Sequence, residues 1–304
     1  MISIDNLTKI YSKNNPPAVN QLTLEMKDGE ILGLVGLNGA GKTSTIRMVS
    51  GIILPTSGSI KVDGHDIVAD KVRASANVGW VPEFPNFELN AKPVSLMKYF
   101  AGFYNLDPDR EEKHILELLE EVGLSNYLDR KLRTYSQGMK KRFSIAESML
   151  GDPRNMLFDE TLNGLDPEGV VFVRNLILAQ KKKGKAVLLS SHILSEVESI
   201  SDRVAIISHG KLLRIITRSE LQNLGKPLIR IRLDNPDDKV KSVLSKFGDV
   251  LLSGNEITVT DLKIRVEEIP RVASELVSSG YAIRLFEQSG ESLEEFFFKT
   301  IGEN

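Results

Sequence analysis

The sequence predicts an α/β fold, in which a large domain with a parallel β-sheet is followed by a small α+β domain. Two apolar runs, residues 156–158 and 186–189, favour buried strands, and a helical segment over residues 167–183 separates them. Alternation of continuous apolar strands with a helix is typical of a parallel sheet. A third observation is the change from short strands to helical periodicity between residues 93 and 150, which indicates a helical insert in the same domain.

The beginning of the chain is predicted to form short strands separated by turns. Clusters of glycine, proline and asparagine at residues 14–17, 27–29 and 55–58 mark the turns. The predicted strands cover residues 2–4, 21–26, 31–35 and 59–62. In the insert, one helical face is shared by Leu96, Tyr99, Phe100 and Phe103.

Beyond Gly210 the pattern changes, and a second domain is predicted. Its elements are a short helix at 219–221, a linker at 225–227, a strand at 228–233, helices at 237–247 and 266–278, a hairpin at 249–260 and a strand at 282–286. Ser292 followed by Glu295 is a capping-box signal for a final helix. The predicted domains are therefore residues 1–225, with the helical insert at about 86–150, and residues 226–304.

Composition excludes several classes of protein. The 304 residues are 41% hydrophobic and 26% charged, as in a globular protein of one large and one small domain. A net charge of −2 and a pI near 6.2 give no reason to expect nucleic acid, and the basic runs 140–142 and 181–183 are interpreted as solvated helix faces. The absence of cysteine excludes disulfides and thiolate metal sites, and the four histidines show no metal-ligand spacing. With no secretory signal and no apolar run of roughly 18 residues, a soluble chain is expected.

The most informative motif joins the predicted strand 31–35 to a helix at 42–51. Its spacing, Gly36-x-x-Gly39-x-Gly41-Lys42-Thr43, is that of a phosphate-binding P-loop. The glycines let backbone N–H groups wrap a phosphate chain, and the helix points its positive end at the same anion. Lys42 supplies a mobile cation for the terminal phosphates, and the Thr43 hydroxyl can ligate Mg²⁺. The motif predicts that the chain binds a nucleoside triphosphate.

A pair of carboxylates supplies what phosphoryl transfer needs beyond the P-loop. Asp159 and Glu160 follow the apolar strand 156–158 directly. Since ligands of parallel sheets bind at the carboxyl ends of the strands, Asp159 is expected to hold Mg²⁺ with Thr43. Glu160, one residue further, is expected to orient or deprotonate water. His192 lies at the end of the next predicted strand, at the same edge of the sheet.

A third motif, Tyr135-Ser136-Gln137-Gly138-Met139, opens a predicted helix that runs to Leu150. Ser136 and Gly138 would lie at the exposed amino end of this helix, which is a potential anion site. Considered alone, the serine is better explained as an ordinary helix N-cap. The interpretation of this segment therefore depends on its place in the chain, after the P-loop and before Asp159 and Glu160.

The whole pattern resembles the nucleotide-binding subunit of an ATP-binding cassette (ABC) transporter over about residues 1–215. Residues 36–43 resemble the Walker A motif, 136–139 the family signature, 156–159 Walker B and 163–166 the D-loop. The resemblance implies a P-loop NTPase domain with an antiparallel β subdomain and a helical insert. It also implies that Glu160, His192 and Lys42 are catalytic and that Thr43, Asp159 and Glu83 bind Mg²⁺. The implied nucleotide contacts come from Tyr11, Gly36, Asn38, Gly39, Ala40, Gly41, Lys42, Thr43, Ser44, Glu83, Ser136, Gln137, Gly138, Met139 and Asp166.

The sequence departs from the family pattern at several positions. The signature is Tyr-Ser-Gln-Gly-Met in place of Leu-Ser-Gly-Gly-Gln, and Glu83 stands where the Q-loop has glutamine. Thr161-Leu162 replaces the usual Pro-Thr after the catalytic glutamate, and Asn155 begins the Walker B run. None of these changes removes a catalytic group. The form of the signature, Glu83 and the ending 292–296 resemble the daunorubicin-resistance group of exporter ATPases.

The resemblance implies a head-to-tail dimer in which ATP lies between the P-loop of one copy and residues 136–138 of the other. The second copy can be identical or a paralogue. The implied function is an ATPase that drives a separate membrane permease, with an exporter favoured, at the cytoplasmic face of the membrane. Residues 83–104, with the aromatics Phe84, Phe87, Tyr99, Phe100 and Phe103, are the expected docking surface.

Two alternatives remain open from the sequence. One is a soluble ABC ATPase that acts on ribosomes or DNA, although relatives of that kind carry two cassettes, long coiled coils or zinc modules. The other is a nucleotide-binding regulatory module without turnover. The presence of Lys42, Asp159, Glu160 and His192 argues against the second.

Overall fold

The computed structural model of the chain describes residues 1–104, 106–224, 227–289 and 293–302. Two compact units result, Met1–Thr217 and Arg218–Asn304. The sequence interpretation places the boundary at residue 225, whereas the structure assigns the helix Arg218–Leu224 to the second unit. That helix packs against the last helix of the unit, Leu293–Gly302, and buries Leu221. Residues 225–226 of the predicted linker and Ser292 of the predicted capping box lie outside the described residues.

The first unit contains two sheets and a set of helices. Its strands are β1 (Ile2–Lys9), β2 (Val19–Met26), β3 (Ile31–Val35), β4 (Ser57–Val62), β5 (His65–Asp66), β6 (Val78–Val81), β7 (Asn155–Asp159), β8 (Ala186–Ser190), β9 (Arg203–Ser208) and β10 (Lys211–Thr217). Its α-helices are α1 (Lys42–Val49), α2 (Lys71–Ala76), α3 (Pro93–Ala101), α4 (Pro108–Glu121), α5 (Gln137–Ser148), α6 (Pro167–Lys182) and α7 (Leu194–Ile200). Short 3-10 turns at Ser125–Tyr127 and Leu132–Thr134 precede α5.

The larger sheet has the order β10-β9-β3-β8-β7-β6, and every neighbouring pair is parallel except β9 with β10. Every residue of β3, β7 and β8 is buried, which explains their continuous apolar sequences. The register pairs Leu34 with Ser190 and Asp159 with Ser190. The P-loop, the carboxylates after β7 and the polar end of β8 therefore meet at one edge of the sheet.

The smaller sheet is antiparallel, with the order β2-β1-β4-β5. Its apolar face contributes Ile2, Ile4, Leu24 and Ile60 to the same core as Leu32 and Leu34 of the parallel sheet. Among the described residues, strands β5, β6, β9 and β10 were not predicted from the sequence. In β6 the signal is weak because the strand is four residues long and contains Gly79, where a Cβ would lie 2.3 Å from the Ser148 carbonyl oxygen.

Helices α3, α4 and α5 form the predicted helical insert and pack against one another. Asp107 caps α4 and Ser136 caps α5, each by accepting a hydrogen bond from a backbone N–H group of the first turn. Phe143 of α5 is fully buried and packs edge-on against Phe87 at 5.0 Å between ring centroids. The insert is thus anchored by α5, the helix that begins at the signature segment.

The second unit is a β-α-β-β-α-β arrangement with two additional helices. Its elements are α8 (Arg218–Leu224), β11 (Leu228–Leu233), α9 (Asp238–Leu244), β12 (Asp249–Ser253), β13 (Glu256–Thr260), α10 (Pro270–Ser278), β14 (Ile283–Ser289) and α11 (Leu293–Gly302). The strand order β12-β13-β11-β14, antiparallel throughout, is that of a ferredoxin-like sheet. Ile229 and Ile231 alternate with Arg230 and Arg232 along β11, so that one face of the sheet forms the core.

The predicted helix at 266–278 begins later in the structure than the sequence suggested. A 3-10 turn covers Val266–Glu268, and α10 starts at Pro270. Proline has no backbone N–H group and a fixed φ, which suits the first position of a helix and not its interior. Within the described ranges, no helix has the length and apolar character needed to cross a bilayer.

Candidate functional site

The P-loop connects β3 to α1 and has the backbone that its glycines permit. Gly39 and Gly41 have positive φ angles of 82° and 106°, which side-chain-bearing residues rarely adopt. A Cβ on Gly41 would also lie 2.4 Å from the Ala18 carbonyl oxygen, and one on Gly36 would lie 2.5 Å from that of Ile207. Asn38 is exposed and Ala40 is buried. The loop therefore needs glycine at these positions and opens its backbone toward solvent above α1.

Lys42 is almost completely buried, and its ammonium group is fully engaged. Nζ donates hydrogen bonds to the carbonyl oxygens of Gly36 at 2.8 Å and Leu37 at 3.4 Å. It also forms an ion pair of 3.2 Å with Glu160 Oε1. The P-loop and the acidic strand end of β7 are thus joined through one lysine.

Asp159 accepts hydrogen bonds from two hydroxyl groups at the end of the parallel sheet. Thr43 Oγ1 donates at 3.2 Å and Ser190 Oγ at 3.0 Å, both to Asp159 Oδ1. Burial raises the pKa of Asp159, and the charges of Glu160 and Glu83 act in the same direction, whereas the two hydroxyl donors oppose them. A divalent cation would relieve this burial of negative charge, and hydroxyl and carboxylate oxygens are suitable ligands for Mg²⁺. The oxygen donors present therefore fit a magnesium ion.

Glu160 lies at the centre of a polar network. Its φ is +47°, so the chain turns sharply directly after β7. Oε2 accepts hydrogen bonds from Asn163 Nδ2 at 3.0 Å and from the backbone N–H of His192 at 3.1 Å. Burial by itself would raise the pKa of Glu160, but the Lys42 charge and these donors outweigh burial and hold the pKa below its usual range. The carboxylate is thus kept ionised in a buried position.

His192 follows β8 and contacts the same carboxylate oxygen a second time. Its ring Nδ1 lies 3.1 Å from Glu160 Oε2, while more than half of the side chain, 57%, is exposed. The backbone contact holds the residue beside Glu160, and part of the ring stays open to solvent. The structure therefore brings together Lys42, Thr43, Asp159, Glu160 and His192.

Glu83 follows β6, the neighbour of β7 in the sheet, and is half-buried. Its charge contributes to the raised pKa of Asp159, which indicates that the two carboxylates lie near each other. Tyr11 lies on the other side of the P-loop, where its hydroxyl forms a 3.1 Å hydrogen bond with Ser44 Oγ. The side chain of Tyr11 is 58% exposed, and Lys9 Nζ lies over the ring, 5.3 Å from its centroid.

The signature segment, residues 136–139, is separate from the P-loop cluster. Ser136 Oγ accepts a hydrogen bond of 3.2 Å from the Met139 N–H, which caps α5. Asp166 caps α6 in the same way, through the Gly169 N–H at 2.8 Å. Ser136, Gln137, Gly138, Met139 and Asp166 line an open cavity of about 450 Å³. Among the described residues, no hydrogen bond joins residues 136–139 to residues 36–44, so the structure does not bring the signature segment into the P-loop cluster.

The sequence placed Asn163 in the D-loop, but the contacts that Asn163, Ser190 and Lys141 make at the site were not predicted. Ser190 and Asn163 contact the two carboxylates directly, as described above. Lys141 was interpreted as part of a solvated basic run, and this was wrong, because it is 8% exposed and donates to the carbonyl oxygen of Thr161 at 2.9 Å. A hydroxyl directly after an apolar strand could have indicated Ser190. Sequence carries no comparable signal for a lysine that turns inward.

Comparisons with known proteins give consistent matches. Residues 19–163 match the family described as ABC transporter. The chain is 34% identical to the bacitracin transport ATP-binding protein BcrA of Bacillus licheniformis, over 99% of this chain and 97% of that protein. It is 29% identical to the linearmycin resistance ATP-binding protein LnrL of Bacillus subtilis (strain 168), over 88% of this chain and 85% of that protein.

Solved structures agree with the sequence matches. An ATP-binding subunit of an ABC transporter gives a TM-score of 0.66 at 28% identity, over 71% of this chain and 90% of that chain. A dimeric ATP-binding cassette bound to ADP and Pi gives a TM-score of 0.65 at 20% identity, over 72% and 99% of the two chains. At 20% identity, the similarity to the dimeric cassette shows only that the fold is shared. Together the matches confirm the predicted P-loop α/β fold.

Proposed function

Because this chain belongs to the ABC transporter family as an ATP-hydrolysing, exporter-type subunit, we propose that it uses Mg²⁺ and ATP to drive a separate membrane permease at the cytoplasmic face of the membrane. The cluster of Lys42, Asp159 and Glu160 at the P-loop carries the proposal. It combines a cation for phosphate, a carboxylate suited to a metal and a second carboxylate kept ionised in a buried position. These are the groups that phosphoryl transfer to water requires.

ATP would bind with its adenine on Tyr11 and its phosphates in the P-loop. Asn38, Ala40 and the glycines offer backbone N–H groups, and Ser44 adds a hydroxyl next to Tyr11. The terminal phosphates would compete with Glu160 for the ammonium group of Lys42, which now lies 3.2 Å from the carboxylate. Binding of ATP would therefore release Glu160 from its ion pair and leave it free to act on water.

Glu160 would accept the proton of the attacking water, and His192 would contact the γ-phosphate through its exposed ring. The lowered pKa of Glu160 keeps the base ionised while it is buried. Thr43 and Asp159, with Glu83 nearby, would hold Mg²⁺, which neutralises charge on the β- and γ-phosphates when it is bound. The different surroundings of the two carboxylates thus suit Asp159 to metal binding and Glu160 to proton transfer.

The exposed signature segment supports a dimer of two cassettes. Ser136 and Gly138 lie at the amino end of α5, where a helix favours an anion. They line an open cavity, and within the described part of the chain no phosphate-binding segment lies against them. A second copy, identical or paralogous, would present its bound ATP to this segment. Hydrolysis would then require closure of the dimer, which couples the chemistry to a change of shape.

The expected docking surface for the permease contains exposed aromatic side chains. Phe84, Phe103 and Tyr99 are 80%, 73% and 64% exposed, and the last two rings lie 5.5 Å apart. Phe87, in contrast, packs on Phe143, and Phe100 is half-buried. Exposed apolar clusters of this kind are typical of interaction sites. The relatives described above are named as transport or resistance proteins, and nothing favours the ribosome or DNA alternative.

The test is an affinity pull-down of the tagged chain from detergent-solubilised native membranes, with partners identified by mass spectrometry. A polytopic membrane protein should be recovered in stoichiometric yield. Phe103→Ser, which removes an exposed ring from the docking surface, should lose this partner while it keeps ATP binding. Phe298→Ser, which removes an exposed ring from the second unit, is the matched control. Recovery of ribosomal proteins or nucleic acid in place of a membrane protein would contradict the permease assignment.

A further inference from the structure

Lys141 connects the signature helix α5 to the segment that follows Glu160. The residue lies in the second turn of α5, and its ammonium group donates to the carbonyl oxygens of Thr161, at 2.9 Å, and Asn163. Burial lowers the pKa of Lys141, and the charges of Glu83 and Glu160 oppose that effect. A buried cation is stable only where such acceptors and charges surround it. The contact is therefore a fixed link between α5 and residues 161–163.

Asn163 continues this link to the proposed catalytic base. Its side-chain Nδ2 donates to Glu160 Oε2 at 3.0 Å, and the other carboxylate oxygen of Glu160 forms the ion pair with Lys42. The contacts run without interruption from Lys141 through Asn163 and Glu160 to Lys42. One end of this chain is the helix that begins at Ser136, and the other end is the P-loop.

The segment between these contacts is held only in part by its own side chains, through Asn163 Nδ2. Thr161 Oγ1 and Asn163 Oδ1 are buried and have no hydrogen-bond partner among the described residues. Positive φ angles of 47° at Glu160 and 69° at Gly164 bound the segment. Backbone held in sparsely populated conformations persists only where surrounding contacts enforce it. Lys141, which binds two of the carbonyl oxygens, supplies such contacts, together with Ser190 Oγ, which accepts a hydrogen bond of 3.0 Å from the Glu160 N–H.

We propose that Lys141 and Asn163 are positioning residues for Glu160: Lys141 fixes segment 161–163 to α5, and Asn163 orients the carboxylate. The inference rests on the proposed role of Glu160 as the base. It gives α5 two tasks, because the helix presents residues 136–139 to the ATP of the partner copy and also holds the base of its own site. A movement of α5 on dimer closure would thereby be transmitted to Glu160 through contacts within one chain.

The test uses Lys141→Met and Asn163→Leu, which remove the polar contacts at nearly constant side-chain volume. Both variants should lower kcat by roughly 10- to 100-fold, because small misplacement of a catalytic group has effects of this size, while KM for ATP stays within about twofold. Lys182→Met and Asn175→Leu, at exposed positions of α6, are the matched controls and should retain wild-type kcat. The conservative variant Lys141→Arg should restore part of the lost activity.

Glu160→Gln is measured in parallel to separate the role of Glu160 as the base from the positioning roles of Lys141 and Asn163. In that background, Lys141→Met and Asn163→Leu should leave the residual turnover unchanged, because the base that they position is already absent. If Glu160→Gln is inactive and both positioning variants keep wild-type kcat, the inference is overturned and the proposed function stands. A variant with a lowered unfolding temperature and changes in both kcat and KM would show a merely structural role and would also overturn it. Wild-type turnover by Glu160→Gln would instead remove the base assignment itself.

Discussion

The P-loop cluster and the signature segment of the first unit differ in how completely one chain satisfies them. Lys42, Asp159 and Glu160 are buried, and each has hydrogen-bond or ionic partners within the chain. Ser136 and Gly138, in contrast, line an open cavity, and the Ser136 hydroxyl caps α5 by accepting from the Met139 N–H. The difference teaches that the polar groups of the first region are paired within one chain, whereas the second region leaves its surface open, as the proposed dimer requires.

The strongest way to break the buried cluster is Glu160→Gln. The change keeps the shape of the side chain and removes its basic oxygen, so turnover should fall by about 10²- to 10⁴-fold, the range typical of general-base catalysis. ATP binding should persist, because Lys42 and the P-loop are unchanged. Phosphate release and equilibrium ATP binding, measured on the same preparation, check both parts. Loss of binding together with turnover would contradict the separation of the two roles.

A pair of glycine substitutions compares the two regions directly. Gly41→Ala places a Cβ 2.4 Å from the Ala18 carbonyl oxygen, at a residue whose φ is 106°. The variant should therefore destabilise the loop, with about 1–2 kcal/mol from the backbone conformation alone, and it should abolish ATP binding. Gly138→Ala meets no atom closer than 3.7 Å within the chain, so it should keep the unfolding temperature and ATP binding of the single subunit.

The effect of Gly138→Ala should appear only when two copies meet. In the Glu160→Gln background, ATP-dependent dimerisation should weaken by roughly tenfold, the equivalent of about 1.4 kcal/mol. Analytical ultracentrifugation with and without ATP measures the change. Equal dimerisation by Gly138→Ala and its parent would show that residues 136–138 do not face the ATP of a partner.

Tyr11 lies at the edge of the buried cluster, and its substitution tests the proposed contact with adenine. Tyr11→Ala should weaken ATP binding by roughly tenfold, because stacking of a base on an aromatic ring contributes about 1–3 kcal/mol. Tyr11→Phe loses only the exposed hydrogen bond to Ser44 and should bind ATP nearly as well as the wild type. Isothermal titration of ATP distinguishes the two variants. A similar loss in both would assign the role of Tyr11 to its hydroxyl and not to its ring.

A further effect, on stability and not on nucleotide binding, concerns the far end of α5, where burial raises the pKa of Glu147 to about 7 from an ordinary value of 4.5. Since the native state holds this proton more tightly than the unfolded state, the contribution of Glu147 to stability falls as pH rises from about 4.5 to 7. Glu147→Gln should therefore be more stable than the wild type at pH 8, by up to about 3 kcal/mol, and equally stable near pH 4.5.

Thermal unfolding across this pH range measures the difference between Glu147→Gln and the wild type. Glu120→Gln, on the exposed face of α4, is the matched control and should show no pH-dependent advantage. A constant advantage of Glu147→Gln at every pH would indicate a packing effect and would contradict the assignment to ionisation.

The parts of the molecule that the sequence predicted are those with local signals. The P-loop glycines, the carboxylates after an apolar strand and the serine before α5 each have a spacing that a specific backbone requires. The parallel sheet followed from the apolar runs of β7 and β8. The helices and strands of the second unit were also largely identifiable, because their apolar residues alternate with a clear period.

Some of the parts that were missed depend on contacts between distant residues. Lys141 faces inward only because the carbonyl oxygens of residues 161 and 163 meet it there, and a lysine beside another lysine usually lies in solvent. Strand β6 is too short to be recognised from its own four residues, whereas β9 contains the apolar run Val204-Ala205-Ile206-Ile207 and carried the same local signal as β7 and β8, which was overlooked. The strand order of the second unit is a property of the assembled sheet, since the same elements can be connected in several ways.

The ion pair between Lys42 and Glu160 bears on how a catalytic cycle ends. When the products leave, the ammonium group does not face a bare P-loop, because the carboxylate 3.2 Å away is available as its counter-ion. This internal competitor lowers the affinity for any phosphate by the free energy needed to separate the pair, and ADP, which offers less negative charge than ATP, overcomes it less easily. The cluster thereby favours release of the products. On the proposed mechanism, the ion pair with Lys42 also keeps Glu160 from acting as a base between turnovers.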